Sequence, residues 1–306
     1  MKPQIAVVGS INMDLVFKTP RMPAPGETLM GHSFHLVHGG KGANQAVAAA
    51  RMGADVHFVA CVGDDVNGKS CQQALAQDGI NMDHIRVIGD AATGVACILL
   101  DDAGQNCIVL ATGANALLNQ ADIARASNTI GQAKLLLCQL ETPLETVVRA
   151  IEIAHKAQVK VLLNPAPAQA LSDQLLAQVD YLVVNETEAE ILSGLTVTDL
   201  ISAEAAAKKL QARGATVVLI TLGAQGMWVA APDSSYFLPA FKVEVVDTTA
   251  AGDTFVGSFA VAIAEAQDLR AACMLAQSAA ALAVTKFGAQ TSIPYRDAVE
   301  RQLQSI

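Results

Sequence analysis

The sequence predicts an α/β fold, with a doubly wound, mainly parallel central sheet flanked by helices and a small β-sheet lid. Short apolar runs rich in β-branched residues recur along the chain, alanine-rich helix-length segments separate most of them, and two stretches break this alternation. Continuous apolar strands are typical of a parallel sheet that is buried on both faces. Because such sheets bind ligands at the carboxyl ends of their strands, we expect the functional residues along one edge.

The main sheet is predicted from short apolar runs at residues 5–8, 56–61, 135–139, 159–163, 181–184 and 217–221. Segments with helical character lie between most of these runs, at residues 42–51, 67–77, 144–157, 185–193 and 203–213. Strands that alternate with helices in this way predict crossover units and parallel pairing.

The lid is predicted from two stretches that contain no crossover helix. Residues 13–37 are punctuated by Pro and Gly, and residues 93–110 hold two β-like runs separated by Asp101-Asp-Ala-Gly104. The second stretch is typical of a β-hairpin. No internal repeat, low-complexity tract or linker interrupts the chain, so we treat residues 1–306 as a single domain.

Composition limits the possible functions. Apolar residues make up 52% of the chain and charged residues 16%, below the roughly 25% of an average protein, which predicts a large packed core. The net charge of −9 argues against general binding to nucleic acid or to an anionic membrane. We expect neither a signal peptide nor a transmembrane segment, and the six cysteines form no C-x-x-C pair. A cytoplasmic protein with reduced thiols is the simplest interpretation.

The most informative stretch is Asp247-Thr-Thr-Ala-Ala-Gly-Asp253, where small residues and a carboxylate precede a long apolar run. A helix N-terminus has unpaired N–H groups and partial positive charge, and small side chains let a phosphate approach it closely. The backbone of Ala250, Ala251, Gly252 and Asp253 is therefore a candidate anion hole. Asp253 is also the candidate base for an attacking hydroxyl, so the leading hypothesis is phosphoryl transfer to an alcohol.

Two segments with polar residues suit a substrate with several hydroxyls. Gly39-Gly-Lys-Gly-Ala-Asn44 offers close backbone approach, and Lys41 and Asn44 add a charge and an amide, although a plain turn into a helix also explains the glycines. Asn12 and Asp14 follow the first strand, and Asp14 can accept hydrogen bonds from a vicinal diol. An Asx turn at the strand end explains this pair equally well.

Two strand ends have both a structural and a functional interpretation. Asn185-Glu-Thr-Glu188 has the pattern of a helix capping box, but its carboxylate could also organise Mg²⁺ through water. Thr221-Leu-Gly-Ala-Gln-Gly226 suits nucleotide phosphates or a plain turn.

One motif suggests a different class of enzyme. Gly63-Asp-Asp-Val-Asn-Gly-Lys-Ser70 matches the consensus of a phosphate-binding P-loop and lies between a predicted strand and a predicted helix. Asp64 and Asp65 would repel a triphosphate, and no later strand ends in a convincing Mg²⁺-binding Asp. We therefore favour an ordinary strand-to-helix turn.

Taken together, these motifs resemble the ribokinase-like (PfkB) carbohydrate kinase family along essentially the whole chain. Both family signatures occur in order, residues 39–44 with Gly53 and Gly63 downstream and then residues 247–253. Leu140-Glu-Thr-Pro143, Asn164-Pro-Ala-Pro167 and residues 185–188 add to the resemblance. It implies an ATP:sugar phosphotransferase that phosphorylates the primary 5-hydroxyl of D-ribose to ribose 5-phosphate. Deoxyribose, another sugar or a nucleoside is the alternative substrate, and a P-loop NTPase or a non-catalytic sugar sensor is the alternative class.

The resemblance also implies site residues at matching positions. The sugar-binding positions correspond to Asn12, Asp14, Gly40, Lys41, Asn44 and Glu141, with Asp253 as the catalytic base. The ATP-binding positions correspond to Asn185, Glu188, Thr221, Gly223, Gly226, Gly252 and Gln277, and Glu188 lies in the motif associated with Mg²⁺. A monovalent cation, usually K⁺, would be held by oxygen atoms of Asp247, Thr249, Ala283, Lys286, Gly288 and Ser292. Sugar and ATP are thus the expected small-molecule partners, and the exposed edges of a lid predict a homodimer.

Overall fold

The apolar runs form the strands of two separate sheets in the computed structural model, which describes residues 2–304. The strands are β1 (Gln4–Val8), β2 (Asn12–Thr19), β3 (Ser33–Gly39), β4 (Asp55–Gly63), β5 (Asn81–Ile88), β6 (Gly94–Asp101), β7 (Asn106–Ala111), β8 (Leu135–Cys138), β9 (Lys160–Leu163), β10 (Tyr181–Asn185), β11 (Val217–Thr221), β12 (Gly226–Ala231) and β13 (Ser234–Pro239). The helices are α1 (Lys41–Arg51), α2 (Val66–Gln77), α3 (Gln120–Arg125), α4 (Ser127–Gln132), α5 (Leu144–Lys156), α6 (Asp173–Leu176), α7 (Glu186–Ser193), α8 (Leu200–Ala212), α9 (Ala251–Ala264), α10 (Leu269–Ala283) and α11 (Arg296–Gln304). Short 3₁₀ turns lie at Gly113–Leu117 and Gly223–Gln225.

The main sheet has nine strands in the order β13-β12-β11-β10-β9-β8-β1-β4-β5. All pairs from β11 to β5 are parallel, and only β12 and β13 are antiparallel. In β1, Ile5 and Val7 pack into one apolar cluster, whereas Ala6 and Val8 pack into a second cluster on the other face. Successive side chains of a strand point to opposite faces, so one apolar run supplies both cores. The predicted fold class is confirmed.

The small sheet has the order β3-β2-β6-β7. β2 is antiparallel to β3 and parallel to β6, and β7 returns antiparallel to β6 as the predicted hairpin. β2 already begins at Asn12 and β3 continues to Gly39, so the sheet includes residues of the candidate sugar site. Every residue of β7 is exposed, which leaves this strand as an uncovered edge.

Two parts of the main sheet were not expected from the sequence. β5 mixes apolar residues with His84 and Arg86 and is mostly half-buried, because it is the edge strand next to β4. β12 and β13 form an antiparallel hairpin after β11, and no crossover helix separates them. β5 and β13 are the two edge strands and lack the continuous apolar run of a central strand, whereas β12 is apolar but pairs antiparallel with β11.

Helices α1 and α9 lie close together on one face of the sheet. A Cβ atom on Gly257 would stand 2.5 Å from the carbonyl oxygen of Gln45 and 2.6 Å from the Cβ of Ala48, so only glycine permits this approach. The contact brings the first turn of α1 beside the first turn of α9.

Among the helices within residues 2–304, none has the length and hydropathy that a bilayer crossing requires.

Candidate active site

The candidate residues lie at the carboxyl edge of the main sheet. Ser10 follows β1, Gln139 follows β8, Asn164 follows β9, and Asn185 and Thr221 are the last residues of β10 and β11. Because these strands are parallel, their ends meet on one side, where the N-termini of α1 and α9 also lie. The fold therefore gathers polar groups that are up to about two hundred residues apart in the chain, such as Asn44 and Asp253.

Asp253 is buried in the first turn of α9, with 8% of its surface exposed. Its Oδ2 accepts a hydrogen bond of 2.9 Å from Asn44 Nδ2, and its Oδ1 accepts one of 2.9 Å from Gln45 Nε2. Each carboxylate oxygen has further lone pairs, so a substrate hydroxyl can still donate to it. The Oδ1 atom of Asn44 is buried without a protein partner within residues 2–304. A buried acceptor without a partner is costly, which favours a ligand donor at this point.

Lys41 lies among four carboxylates at the start of α1. Burial lowers the pKa of its ammonium group, but the charges of Asp253, Glu141, Glu188 and Asp14 outweigh burial and leave that pKa above its usual value. The ammonium is therefore protonated at neutral pH and offsets part of the negative charge of the site. Removing Lys41 would take away the positive charge that lowers the pKa of Asp14 and of Glu188.

Asp14 is the most strongly perturbed acid of the site. Burial, followed by the negative charges of Glu141 and Asp253, raises the pKa of Asp14 to about 7, while Lys41 opposes the rise. Asp14 and Asn12 are two residues apart on β2, so their side chains share one face. Burial and the neighbouring negative charges thus destabilise the ionised form of Asp14, and a ligand that donates hydrogen bonds to this carboxylate would stabilise it.

Glu141 links the strand end to the first turn of α1. Its Oε2 accepts hydrogen bonds from Ser10 Oγ at 2.5 Å and from the Lys41 N–H at 3.0 Å. Gly40 has φ 89°, and a Cβ atom there would stand 2.7 Å from the Asn12 N atom. Glycine is thus required where the backbone of this turn passes strand β2.

Asn12 is held by a residue that the motif analysis did not find. Asn115, in the first 3₁₀ turn, donates from Nδ2 to Asn12 Oδ1 at 2.7 Å and to the Ile11 carbonyl oxygen at 3.1 Å. Its own Oδ1 accepts from the Ile11 N–H at 2.9 Å. Because Asn12 Oδ1 is occupied in this way, the amide N–H groups of Asn12 are directed to other acceptors.

The first turn of α9 leaves backbone donors free. Ala250 precedes the helix with φ 59° and provides no side-chain cap. Within residues 2–304, the N–H groups of Gly252 and Asp253 have no protein acceptor, whereas the Ala251 N–H donates to the Thr248 carbonyl oxygen at 3.2 Å. An anion at this helix start would therefore meet two unpaired donors and the positive end of the helix dipole.

Five of the seven predicted nucleotide residues line one cavity of about 470 Å³ between β11, β12 and helices α9 and α10. They are Thr221, Gly223, Gly226, Gly252 and Gln277. Apolar side chains such as Phe255 and Val243 line the rest of it. The cavity thus reaches from the free donors of α9 to an apolar region that suits a nucleobase.

The other two predicted nucleotide residues form a capping box at the start of α7. Asn185 Oδ1 accepts from the Glu188 N–H at 2.8 Å, and Glu188 Oε2 accepts from the Asn185 N–H at 2.9 Å. The structural interpretation of this motif is therefore correct. Burial raises the pKa of Glu188, and the charge of Lys41 opposes that rise, which places Glu188 in the electrostatic environment of the site as well.

Three of the predicted cation ligands are joined around Asp247. Its Oδ1 accepts from the N–H of Thr249 at 2.9 Å and from its hydroxyl at 2.6 Å, and its Oδ2 accepts from the Gly288 N–H at 2.9 Å. Burial raises the pKa of Asp247, but these hydrogen bonds outweigh burial and hold the pKa below its usual value. An ionised carboxylate is an oxygen ligand that suits a hard cation.

The lid covers a second cavity, of about 280 Å³, that Asp14, Lys18, Asp247, Thr249 and Gly288 help to line. Phe287 connects the lid with the body, because Lys18 Nζ lies 4.7 Å from the centroid of its ring and the His35 ring lies 5.9 Å away. The Asp14 side chain of β2 and the loop around Asp247 therefore face the same cavity.

The P-loop-like motif forms an ordinary helix start. Asp65 is the N-cap of α2, and its Oδ1 accepts from the Gly68 N–H at 2.7 Å. Asp65 also accepts from the N–H of Thr93 at 2.8 Å and from its hydroxyl at 2.7 Å. Lys69 is exposed and pairs with Asp64. A carboxylate thus occupies the position in which a P-loop would hold phosphate.

Comparison with known proteins agrees with this geometry. Residues 2–296 match the family model described as "pfkB family carbohydrate kinase". The ribokinase of Haemophilus influenzae is 48% identical over 97% of both chains, and the deoxyribokinase of Salmonella typhi is 40% identical over 95% of both. The solved structure of Arabidopsis thaliana ribokinase complexed with ribose and ATP matches with a TM-score of 0.91 and 32% identity, over 99% of both chains. The chain belongs to the pfkB family of carbohydrate kinases.

Proposed function

We propose that this chain is an ATP-dependent sugar kinase that transfers the γ-phosphoryl group to the primary 5-hydroxyl of D-ribose and forms ribose 5-phosphate. One observation carries the assignment: the buried carboxylate of Asp253 lies beside free backbone donors at the uncapped start of α9 and interacts with the charges of Lys41 and Asp14. The relatives that are named ribokinases, and the relative whose structure contains ribose and ATP, support this choice.

The reaction follows from these positions. Asn12, Asp14 and the backbone at Gly40 would hold the sugar hydroxyls, and the 5-hydroxyl would point to Asp253. This hydroxyl oxygen forms a bond to the γ-phosphorus as the bond to the bridging oxygen of ATP breaks, so ADP leaves. Asp253 accepts the hydroxyl proton. The N–H groups of Gly252 and Asp253 stabilise the negative charge on the transferred group.

Two ions fit the site. Mg²⁺, when bound, neutralises phosphate charge, and the Glu188 oxygen that is not used in the capping box could reach it through water. For a monovalent cation such as K⁺ we propose the oxygen atoms of Asp247, Thr249, Ala283, Lys286, Gly288 and Ser292. This loop adjoins the free donors of α9, so a cation there would fix the shape of the anion hole.

The proposal extends to assembly and location. Both outer strands of the lid expose apolar side chains, such as Leu36 and Ile108, which favours a homodimer formed through the lid. The six cysteines are free thiols, and a reducing cytoplasm suits them.

The assignment of the base is tested by Asp253→Asn. We expect the variant to fold and to bind sugar, with kcat lower by about 10²–10⁴-fold, because Asn cannot accept the proton. A steady-state assay of ADP release measures kcat, and calorimetry measures sugar binding. Lys69→Ala is the matched control and should change kcat less than about twofold, since its exposed ion pair is worth about 0–1 kcal/mol.

The opposite pattern, with loss of activity only in Lys69→Ala, would identify a P-loop NTPase. Tight sugar binding by the unaltered protein without any product would identify a sensor.

The substrate is tested with a panel of pentoses, hexoses and nucleosides, with and without K⁺. We expect the highest kcat/KM with D-ribose, because 2-deoxyribose lacks one hydroxyl of the diol and would leave the buried Asp14 with one donor fewer. Equal or higher kcat/KM with deoxyribose or a nucleoside would overturn this choice and leave the kinase assignment intact.

A further inference from the structure

A chain of buried amide side chains lies behind the carboxylate of Asp253. Gln45 and Gln139 are fully buried and Asn164 is 8% exposed. Gln45 follows Asn44 on α1, whereas Gln139 and Asn164 follow the neighbouring strands β8 and β9. The reaction described above uses none of the three.

Every hydrogen-bonding group of Gln45 has a partner. Its Nε2 donates to Asp253 Oδ1 at 2.9 Å and to Asn164 Oδ1 at 3.0 Å, and its Oε1 accepts from Gln139 Nε2 at 2.6 Å. A primary amide has two N–H donors, and both are engaged here. Any rotation of this side chain would break at least one buried hydrogen bond.

The Val183 carbonyl, at the end of this row of amides, fixes which amide groups donate and which accept. The Val183 carbonyl of β10 can only accept, and Asn164 Nδ2 donates to it at 3.0 Å. This bond turns Asn164 Oδ1 towards Gln45, which must then present Nε2. In the flipped orientation of Gln45, Oε1 would face the Asp253 carboxylate and Asn164 Oδ1, and three oxygen atoms would repel one another.

We propose that Gln45 is a positioning residue that holds Asp253 in the orientation from which it accepts the proton, and that the Val183 backbone sets the direction of Gln45 through Asn164. Asn44 holds the other oxygen, Oδ2, through its own amide. With one amide on each oxygen, the plane of the carboxylate is fixed while lone pairs remain for the substrate hydroxyl. The inference rests on the proposed role of Asp253 as the base.

The test is a double-mutant cycle between Gln45→Met and Asp253→Asn. Met has nearly the same length and volume as Gln but has no donor, so it removes the hydrogen bond with little change in packing. In the unaltered background we expect Gln45→Met to lower kcat by about 10–100-fold and to change the KM for ribose less than about threefold. In the Asp253→Asn background, Gln45→Met should lower the residual kcat less than about threefold, because Gln45 acts through the missing carboxylate.

A merely structural role of Gln45 gives a different result. The proposal would be overturned if Gln45→Met lowered kcat by the same factor in the unaltered and the Asp253→Asn backgrounds. It would also be overturned if Gln45→Met changed KM more than kcat. Unchanged kcat in Gln45→Met would also overturn it. Ser278→Ala is the control for loss of a buried hydrogen bond elsewhere, on α10, and should lower the unfolding temperature without a change in kcat.

Asn164→Leu keeps the proposal testable if Gln45→Met does not fold. Leu has a similar size but cannot accept from Gln45, so Gln45 loses the bond that sets its direction. We expect kcat to fall by about 3–30-fold with little change in KM, and this loss should also disappear in the Asp253→Asn background. Full kcat in Asn164→Leu would overturn the proposal.

The outcomes separate this inference from the proposed function. If Asp253→Asn itself keeps near-normal kcat, the proposed role of Asp253 fails. If Asp253→Asn loses activity and Gln45→Met does not, only the role of Gln45 fails.

Discussion

At the scale of single residues, the site combines charges that the protein only partly compensates. Asp14, Glu141, Glu188 and Asp253 surround one lysine, and Asp14 is the acid whose pKa rises to about 7. A buried carboxylate without enough donors costs folding free energy, and a sugar diol would supply the missing donors. If Asp14 binds the sugar as proposed, it lowers the stability of the free protein and raises the affinity for the ligand.

This trade predicts a pH-dependent effect of Asp14→Asn. Since the folded pKa of Asp14 is raised, the folded protein binds its proton more tightly than the unfolded chain, and stability falls as pH rises from about 4 to about 7. Asn is neutral throughout this range. We expect the variant to become more stable relative to the unaltered protein by on the order of 2 kcal/mol between pH 5 and pH 8.

Urea unfolding of the ligand-free proteins at both pH values measures the difference, and the KM for ribose should rise in parallel. A stability difference that is the same at pH 5 and pH 8 would contradict the raised pKa.

At the scale of helices and strands, sequence patterns predicted the central elements better than the edges. Continuous apolar runs identified all six predicted strands, β1, β4 and β8 to β11, because a strand buried on both faces has no polar positions. The edge strands β5 and β13 were missed because their polar residues hide the pattern, whereas the apolar strand β12 was missed because no crossover helix separates it from β11.

The candidate site residues also fall into two groups, those with a local sequence signal and those without one. Glycine-rich turns and helix starts are local signals, so residues 39–44 and 247–253 could be recognised. Gln45, Asn115 and Ser10 could not, because an amide or hydroxyl in an apolar segment acquires its partner only in the folded chain. Gln45 and its partner Asp253 are 208 residues apart.

The P-loop-like segment gives a prediction at the element scale. Asp65 caps α2 and also accepts two hydrogen bonds from Thr93, at the residue before lid strand β6. We expect Asp65→Ala to lower the free energy of unfolding by about 2–3 kcal/mol, because it removes a helix cap and leaves donors of Thr93 without a partner. Urea unfolding measures the loss.

Asp64→Ala is the matched control. Asp64 precedes the cap and, among residues 2–304, its side chain pairs with exposed Lys69 alone, so its removal should cost less than about 0.5 kcal/mol. Equal losses of unfolding free energy in the two variants would show that the cap and the hydrogen bonds to Thr93 stabilise the protein no more than the exposed Asp64–Lys69 pair does.

At the scale of the whole molecule, the fold combines a large packed sheet with a small sheet that has an exposed edge. Two apolar cores enclose the main sheet, while β7 has no buried residue and ends the small sheet with unpaired backbone groups. Exposed edges of this kind readily pair with another chain unless charges or proline block them, and β7 contains neither. Its apolar Ile108 and Val109 are 55% and 66% exposed.

A dimer formed through the lid therefore predicts that Ile108→Lys weakens self-association. A charge on this strand would have to be desolvated when two lids pair, so we expect light scattering at micromolar concentration to give twice the 31.8 kDa chain mass for the unaltered protein and a lower mass for the variant. Ile201→Lys, at an 80% exposed apolar position on α8, is the matched control and should leave the mass unchanged. An unaltered protein that is monomeric, or a loss of mass in both variants, would exclude the lid as the interface.

Pairing of the lids would also couple assembly to sugar binding, because Asp14 and Lys18 lie on strand β2 of the same small sheet as β7. If the lids pair, Ile108→Lys should therefore also raise the KM for ribose.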